Sequence, residues 1–366
     1  MNSSQTTRDN AVETINVSKH YGAVRAVDEI SFNVESGQYF VLLGPSGGGK
    51  TTLLRLIGGF VKPTEGRVLL HDRDVSNLPP NKRPTSMVFQ SYALFPHMSV
   101  EKNVSYGLKL KKVPAAEITR KVNDMLSLVG LEGYGGRQPH ELSGGQQQRV
   151  QLARSLVLET DILLLDEPLA SLDANLRKDM CFELKRIQEE VGITFVHVTH
   201  NQDEALTIAD RIAIVADGKL IEEGTPKEIY EHPRKKFTAE FIGENNLIGG
   251  TVVALNGDSV TVDVGCGSIT VNAPGITPKP GDDVVISIPA EKIEIAAEAP
   301  VGDVQMLDAV YQKETYAGFS SQHQLMLPNG IEFIAKTPQS SGQVKREPGD
   351  NASIYWPLSA ARLHIS

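Results

Sequence analysis

Residues Gly44-Pro45-Ser46-Gly47-Gly48-Gly49-Lys50-Thr51 satisfy the pattern G-x-x-x-x-G-K-[ST]. They follow the apolar run Tyr39–Leu43 and lead into a stretch of helical period, the setting a phosphate-binding loop requires. Glycines let successive backbone N–H groups converge on phosphate oxygens at a helix start, where the helix dipole favours an anion. In such a loop Lys50 reaches the β- and γ-phosphates, and the Thr51 hydroxyl is a ligand for Mg²⁺. The alternative, an accidental glycine-rich turn, does not account for the strand before it and the helix after it.

A second group of chemistry-bearing residues ends another apolar run, Ile162-Leu163-Leu164-Leu165-Asp166-Glu167. Asp166 suits a Mg²⁺ ligand acting through water, and Glu167 suits a general base or water-positioner for attack on a γ-phosphate. Alone, two carboxylates at a strand end read as a solvated terminus. Beside a phosphate loop they read as catalytic.

The pentapeptide Leu142-Ser143-Gly144-Gly145-Gln146 opens a further helix. Ser143 is a good N-cap and the glycines expose backbone N–H groups, so this is a second anion site. Two phosphate-reading helix starts in one chain suggest that each nucleotide is gripped from two sides.

These residues need elements to hold them. Residues 162–165, 194–198 and 211–215 join Tyr39–Leu43 as short apolar runs bounded by Gly, Asp or His, which reads as buried strands of a largely parallel sheet. Residues 50–59, Val100–Leu110, 117–129, 144–159 and Ala174–Val191 have helical length and period. The alternation predicts an α/β domain over residues 12–243, with helices on both faces. From residue 247 to 366 the texture changes to short strands at 250–255, 259–264, 283–288 and 332–335, parted by turns such as Asn256-Gly257 and Pro280-Gly281. A small all-β barrel is expected there. It carries 7 Lys/Arg against 13 Asp/Glu, a poor balance for binding nucleic acid.

At this point the chain resembles the ATP-binding subunits of ATP-binding-cassette (ABC) transporters over nearly its whole length. Leu142–Gln146 has the form of that family's signature. The order phosphate loop, Val88-Phe89-Gln90, signature, Asp166-Glu167, Ser171-Leu172-Asp173, Val198-Thr199-His200 is the family's order. The resemblance implies a P-loop NTPase cassette, a RecA-like core plus a helical subdomain, followed by an OB-like domain of the TOBE type. It implies that Tyr21 stacks on adenine, that Thr52 joins residues 44–51 in binding ATP, and that Gln90 senses Mg²⁺ and the attacking water. It implies further that Ser143, Gly144, Gly145 and Gln146 meet the γ-phosphate held by a partner copy, that Asp173 lies across the dimer seam, that Glu167, His200 and Gln90 are catalytic, and that Gln90 joins Thr51 and Asp166 at the metal. Plainer roles exist for Tyr21 as a packed surface aromatic, for Gln90 as a strand-end amide, for His200 as a core-edge histidine and for Asp173 as an N-cap. Gly48, often Cys in relatives, is expected to matter little, since the backbone does the binding.

A lone cassette with a C-terminal β domain is similar to importer subunits, which work as homodimers with two transmembrane permeases and a periplasmic or extracellular solute-binding protein. This implies a peripheral position on the cytoplasmic side of the inner membrane. The stretches at 90–100 (QSYALFPHMSV), 224–230 (GTPKEIY) and 241–246 (FIGENN) resemble the subgroup for polyamines, ferric iron, sulfate and sugars, with the likeness leaning to polyamines. Residues 89–98 are expected at the contact with the permeases, because Gln90 reaches the nucleotide site while Tyr92, Leu94, Phe95 and Met98 offer an apolar socket; the plainer reading is an ordinary buried loop. Non-transport relatives insert a coiled coil or second cassette between loop and signature, and no heptad run separates Lys50 from Ser143 here.

Composition agrees with this reading. A net charge of −9 over 366 residues excludes a strongly basic nucleic-acid binder, and 40% hydrophobic residues exclude disorder as the main state. Cys181 and Cys266 are the two cysteines and make no disulfide framework, which fits a reducing compartment. The polar first ten residues lack the apolar core of a signal peptide, and no run approaches the roughly 18 apolar residues of a spanning helix. His97, His140 and the other histidines apart from His200 show no metal-ligand spacing.

Overall fold

The computed structural model describes residues 9–90, 94–296, 303–339 and 346–365. The chain divides into two units, Met1–Lys227 and Glu228–Ser366.

The first unit opens with a long hairpin, β1 (Asn10–Tyr21) and β2 (Val24–Glu35), followed by β3 (Tyr39–Leu43) and α1 (Lys50–Gly58). Then come β4 (Glu65–Leu70), β5 (Arg73–Asp74) and β6 (Thr85–Val88). Three helices follow, α2 (Val100–Leu110), α3 (Ala115–Leu128) and α4 (Gly144–Leu156), packed on one another as a helical subdomain. The remainder alternates: β7 (Ile162–Asp166), α5 (Ala174–Val191), β8 (Thr194–Thr199), α6 (Gln202–Ile208), β9 (Arg211–Ala216) and β10 (Lys219–Gly224).

These strands form two sheets. The central one has the order β10-β9-β3-β8-β7-β6, parallel from β9 to β6 with β10 antiparallel at its edge. Every residue of β3, β7 and β8 is buried, which explains their unbroken apolar runs. Alternate side chains face opposite layers. Phe40, Leu42, Leu164 and Val196 pack with α1 residues Leu53 and Ile57 and with Val12, Val34 and Val68 of the second sheet, β2-β1-β4-β5. Phe32 and Phe40 stack between the two sheets with ring centroids 5.0 Å apart. The other face carries Tyr39, Phe195 and His197 and is covered by α6, with α5 packed on α6. Helices on both faces are therefore only half the arrangement. One layer is α1 plus a four-stranded antiparallel sheet, because the hairpin buries an apolar face that a helix would otherwise cover.

The division between the units falls inside α7 (Pro226–Glu231). The second unit then holds α8 (Lys236–Phe241), which packs on the first and fourth strands after it, and so belongs with the β region although it precedes residue 247. Those strands are β11 (Asn245–Asn256), β12 (Ser259–Asp263), β13 (Ser268–Asn272), β14 (Asp283–Pro289), β15 (Glu294–Ala296), β16 (Val304–Tyr316), β17 (Ser320–Met326), β18 (Glu332–Pro338), β19 (Asn351–Pro357) and β20 (Arg362–Ile365). They make two five-stranded antiparallel sheets, β13-β12-β11-β14-β20 and β15-β19-β16-β17-β18. Ile286 and Val262 of the first share one core with Phe333, Leu325 and Trp356 of the second. The all-β expectation is met by this two-sheet domain.

Candidate nucleotide site

The carboxyl ends of four neighbouring parallel strands carry the residues singled out above. In sheet order these are the phosphate loop after β3, His200 after β8, Asp166-Glu167 at the end of β7, and Gln90 just after β6. In open α/β sheets this edge is where ligands bind.

The loop turns sharply from β3 into α1. Gly49 holds φ +100, and a Cβ there would stand 2.3 Å from the Ala26 carbonyl oxygen, so no other residue fits without moving backbone. Gly48 is less indifferent than expected: a Cβ at that position would lie 2.8 Å from the Val215 oxygen and 3.1 Å from that of Pro45. α1 starts at Gly49 without a side-chain cap, which leaves its first-turn N–H groups to an anion rather than to a hydroxyl or carboxylate of the chain. Lys50 is buried, and its Nζ donates to the carbonyls of Gly44 at 2.8 Å and Pro45 at 2.7 Å. Burial pushes the lysine pKa down, against the fields of Glu167 and Asp166. Thr52, in the same first turn, is half-buried, and Ser46 and Gly47 are exposed.

Thr51 Oγ1 donates to Asp166 Oδ1 at 2.9 Å. Arg55, one helical turn beyond Thr51, brings Nη2 to 3.9 Å from Asp166 Oδ2. Asp166 is buried, and burial pushes its carboxyl pKa up although Thr51, Arg55 and Lys50 pull the other way. A hydroxyl and a desolvated carboxylate within hydrogen-bond distance form a hard-oxygen donor set, the kind that Mg²⁺ takes. Arg55 escaped the sequence reading; its signal was a basic residue four positions after Thr51, on the same helix face.

Glu167 is the junction of the site. Gln90 Nε2 donates to its Oε2 at 3.1 Å, and His200 Nδ1 lies 3.4 Å from the same oxygen. The backbone at Glu167 is left-handed, φ +45, a conformation that costs a non-glycine residue about 1–3 kcal/mol and that clusters at functional sites. Its N–H is nevertheless tied to the Val198 carbonyl at 3.0 Å, so the turn is anchored to β8. The glutamate is largely buried and His200 is half exposed, so the histidine borders solvent.

The signature lies apart from this cluster within the chain. Ser143 caps α4: its Oγ accepts from Gln146 N–H at 3.4 Å, and Gln146 Oε1 accepts from Ser143 N–H at 3.0 Å. Among the described residues, no hydrogen bond or ion pair of residues 143–146 reaches the phosphate loop. Gly145 instead faces the side chain of Leu176, where a Cβ would meet it at 3.2 Å. Leu176 N–H in turn donates to Asp173 Oδ1 at 3.0 Å, which makes Asp173 the N-cap of α5 and sets the starts of α4 and α5 side by side. Tyr21 ends β1 as a half-exposed ring with Lys19 Nζ 5.1 Å from its centroid.

Tyr92 of the expected apolar socket lies outside the described residues. Its flanks are firmly held. Phe89 meets Phe60 edge-on at 5.6 Å, and Gln151 Nε2 donates to the Phe89 carbonyl. Phe95 packs on Tyr106 at 4.8 Å, and fully buried Asn103 bonds both the N–H and the carbonyl of Phe95 and the carbonyl of Met98. Leu94, Phe95 and Met98 are partly exposed. Among the described residues no group of His, Cys, Asp and Glu is built to hold a metal by itself, and no helix is long and apolar enough to cross a membrane.

Known proteins bear on this geometry. The family profile described as ABC transporter matches residues 27–170. The spermidine/putrescine import ATP-binding protein PotA of Rubrobacter xylanophilus is 44% identical over 348 residues, 94% of this chain and 91% of that protein. The protein of the same name from Mesorhizobium japonicum is 44% identical over 361 residues, 97% of each. Among solved structures, CbiO1 from Clostridium perfringens, part of the ABC transporter complex CbiONQ, is 32% identical and superposes with a TM-score of 0.57 over 60% of this chain and 90% of its own. An ATP-binding cassette solved as a dimer in a post-hydrolysis state, with ADP and phosphate bound, is also 32% identical, with a TM-score of 0.53 over 59% of this chain and 98% of its own.

Proposed function

The chain belongs to the family of ATP-binding subunits of ABC transporters, and we propose that it is the ATP-hydrolysing motor of a polyamine importer, driving uptake of spermidine or putrescine. The observation that carries the chemistry is the meeting of Gln90 and His200 on one oxygen of Glu167, beside the Thr51–Asp166 pair. The choice of solute rests on near-full-length likeness to proteins named for spermidine and putrescine import.

The phosphate loop and the uncapped start of α1 receive the triphosphate, and Lys50 exchanges the carbonyls of Gly44 and Pro45 for phosphate oxygens. Thr51 and Asp166 would hold Mg²⁺, which when bound neutralises charge on the β- and γ-phosphates. Tyr21 offers its exposed ring to adenine. Glu167 keeps one carboxylate oxygen engaged with Gln90 and His200, leaving Oε1 to accept a proton from the attacking water. His200 then faces the γ-phosphate, and Gln90 reports the state of the site to residues 94–98.

Two copies complete the working site. Ser143, Gly144, Gly145 and Gln146 of one copy, with Asp173 beside them, face the nucleotide held by the other, in a two-fold arrangement. Two permease subunits seat against the apolar surface around Phe95 and Met98 on the cytoplasmic face of the membrane. A solute-binding protein delivers cargo from the far side. Binding of ATP closes the dimer and hydrolysis reopens it, moving the permeases between their two access states.

The assembled transporter tests the cargo. Its ATPase activity should rise with spermidine- or putrescine-loaded binding protein. Stimulation only by maltose-, sulfate- or iron-loaded partners would assign the same motor to another solute.

A further inference from the structure

Glu167 and His200 sit on adjacent strands, and each is followed by a loop that enters a helix: residues 168–173 lead into α5, and residue 201 leads into α6. One side chain spans both loops. Arg177, in the first turn of α5, donates Nη2 to the Leu172 carbonyl at 2.8 Å and Nε to that of Leu169 at 3.4 Å. Its Nε also lies 3.5 Å from Glu204 Oε1, on α6. Two carbonyls of the segment between Glu167 and Asp173 and one carboxylate beyond His200 thus share a single guanidinium.

The Glu204 end of this link closes around His200. Thr199 Oγ1 donates to Glu204 Oε2 at 2.7 Å, Asn201 N–H donates to Thr199 Oγ1 at 3.0 Å, and Glu204 N–H donates to Asn201 Oδ1 at 3.0 Å. On one side of His200, Thr199 is bonded to the buried Glu204 carboxylate; on the other, Asn201 is bonded to the Thr199 hydroxyl and to the Glu204 backbone N–H. Burial pushes the Glu204 carboxyl pKa up, with Thr199 and Arg177 opposing. A buried anion of this kind is costly unless paired, and Arg177 Nε supplies a cation 3.5 Å from it. None of these groups touches the reacting atoms.

We propose that Arg177 is a positioning residue for hydrolysis, holding the Glu167–Asp173 segment and the His200 turn in one fixed relation through Leu169, Leu172 and Glu204. The inference rests on the ATPase reading above. A fixed relation matters because the water must meet Glu167 and the γ-phosphate must meet His200 at once, and a displacement of about 1 Å can cost on the order of 10²-fold in rate.

The test measures steady-state ATP hydrolysis by the full-length chain, with binding of a fluorescent ATP analogue and thermal unfolding alongside. Arg177→Met and Glu204→Gln should each lower kcat by about tenfold or more, with KM and nucleotide affinity within about twofold of wild type. Arg177→Lys, able to reach one acceptor but not three, should fall between. The double variant should be no slower than the worse single one, because both changes break the same link. A folded variant with kcat within about twofold of wild type, or losses that multiply in the double variant, overturns the proposal. Should Arg177→Met fail to fold, Glu204→Gln, which keeps shape and volume, decides by the same criterion. Wild-type chain that binds ATP but never hydrolyses it refutes the ATPase reading itself, whereas wild-type hydrolysis with unaffected variants refutes only the role of Arg177.

Discussion

The Thr51 hydroxyl donates a 2.9 Å hydrogen bond to Asp166, joining the first turn of α1 to the last residue of β7. The phosphate loop and the catalytic strand are separate in sequence by more than a hundred residues, yet this contact sets the distance between them. In the proposed mechanism this pair, between the phosphate loop and Glu167, is where a hard cation would be held.

Asp166→Asn separates the functional from the structural consequence of that contact. The amide preserves the acceptor for Thr51 but removes the negative charge, so Mg²⁺-dependent hydrolysis should fall by about 10²-fold or more. Stability should move the other way. Burial raises the native pKa of Asp166 above its ordinary 3.8, so the carboxyl protonates more readily in the native chain than in the unfolded one. That contribution is complete below about 3.8 and is lost as the pH rises through the native value. At neutral pH the ionised carboxyl is a cost that Asn lacks. The unfolding midpoint of Asp166→Asn relative to wild type should therefore rise between about pH 4 and pH 7, in the absence of nucleotide, and a falling difference would contradict this.

His197 gives an opposite pH dependence. It is fully buried behind the site, with Nδ1 3.0 Å from the Tyr39 hydroxyl, and burial pushes its pKa from 6.5 down to about 3. The unfolded chain takes up a proton here that the native chain refuses. Its stabilising contribution is full above about pH 6.5 and is lost as the pH falls toward 3. Thermal unfolding of wild type and His197→Gln across this range should show wild type losing its advantage on acidification. A difference that stays constant with pH would refute it.

The shared site can be tested by mixing chains in a Glu167→Gln background that traps ATP. Combining Lys50→Ala chains with Ser143→Arg chains gives mixed dimers with one doubly damaged site and one intact site, if each site uses Lys50 of one copy and Ser143 of the other. One occluded ATP per mixed dimer is expected. None in verified mixed dimers would mean that each chain works alone.

The central sheet was legible because β3, β7, β8 and β9 are buried on both faces and read as continuous apolar runs. The β1–β2 hairpin was not. Its pairing shifts register between Thr14 and Val17, and Asn16 and Glu29 hold positive φ, so the period-two alternation that marks a strand is broken. In the β domain, β12 and β14 stood out as Val- and Ile-rich runs, whereas β16 ends in the exposed polar stretch Gln312 to Thr315 and passed unread. The carboxylates and the phosphate loop were legible as local patterns. The meeting of Gln90 with Glu167, 77 positions apart, was suggested only by family likeness, and the Arg177–Glu204 link joins two helices with no local spacing to reveal it.

In the proposed motor, Glu167 carries the hydrolytic step. The direct measurement is phosphate release from Mg²⁺-ATP by wild-type chain and by Glu167→Gln, with nucleotide binding recorded on the same samples. ATP binding should be unchanged within about twofold and turnover reduced by about 10²–10⁴, the usual worth of a positioned general base. Phosphate release by Glu167→Gln at the wild-type rate would contradict it.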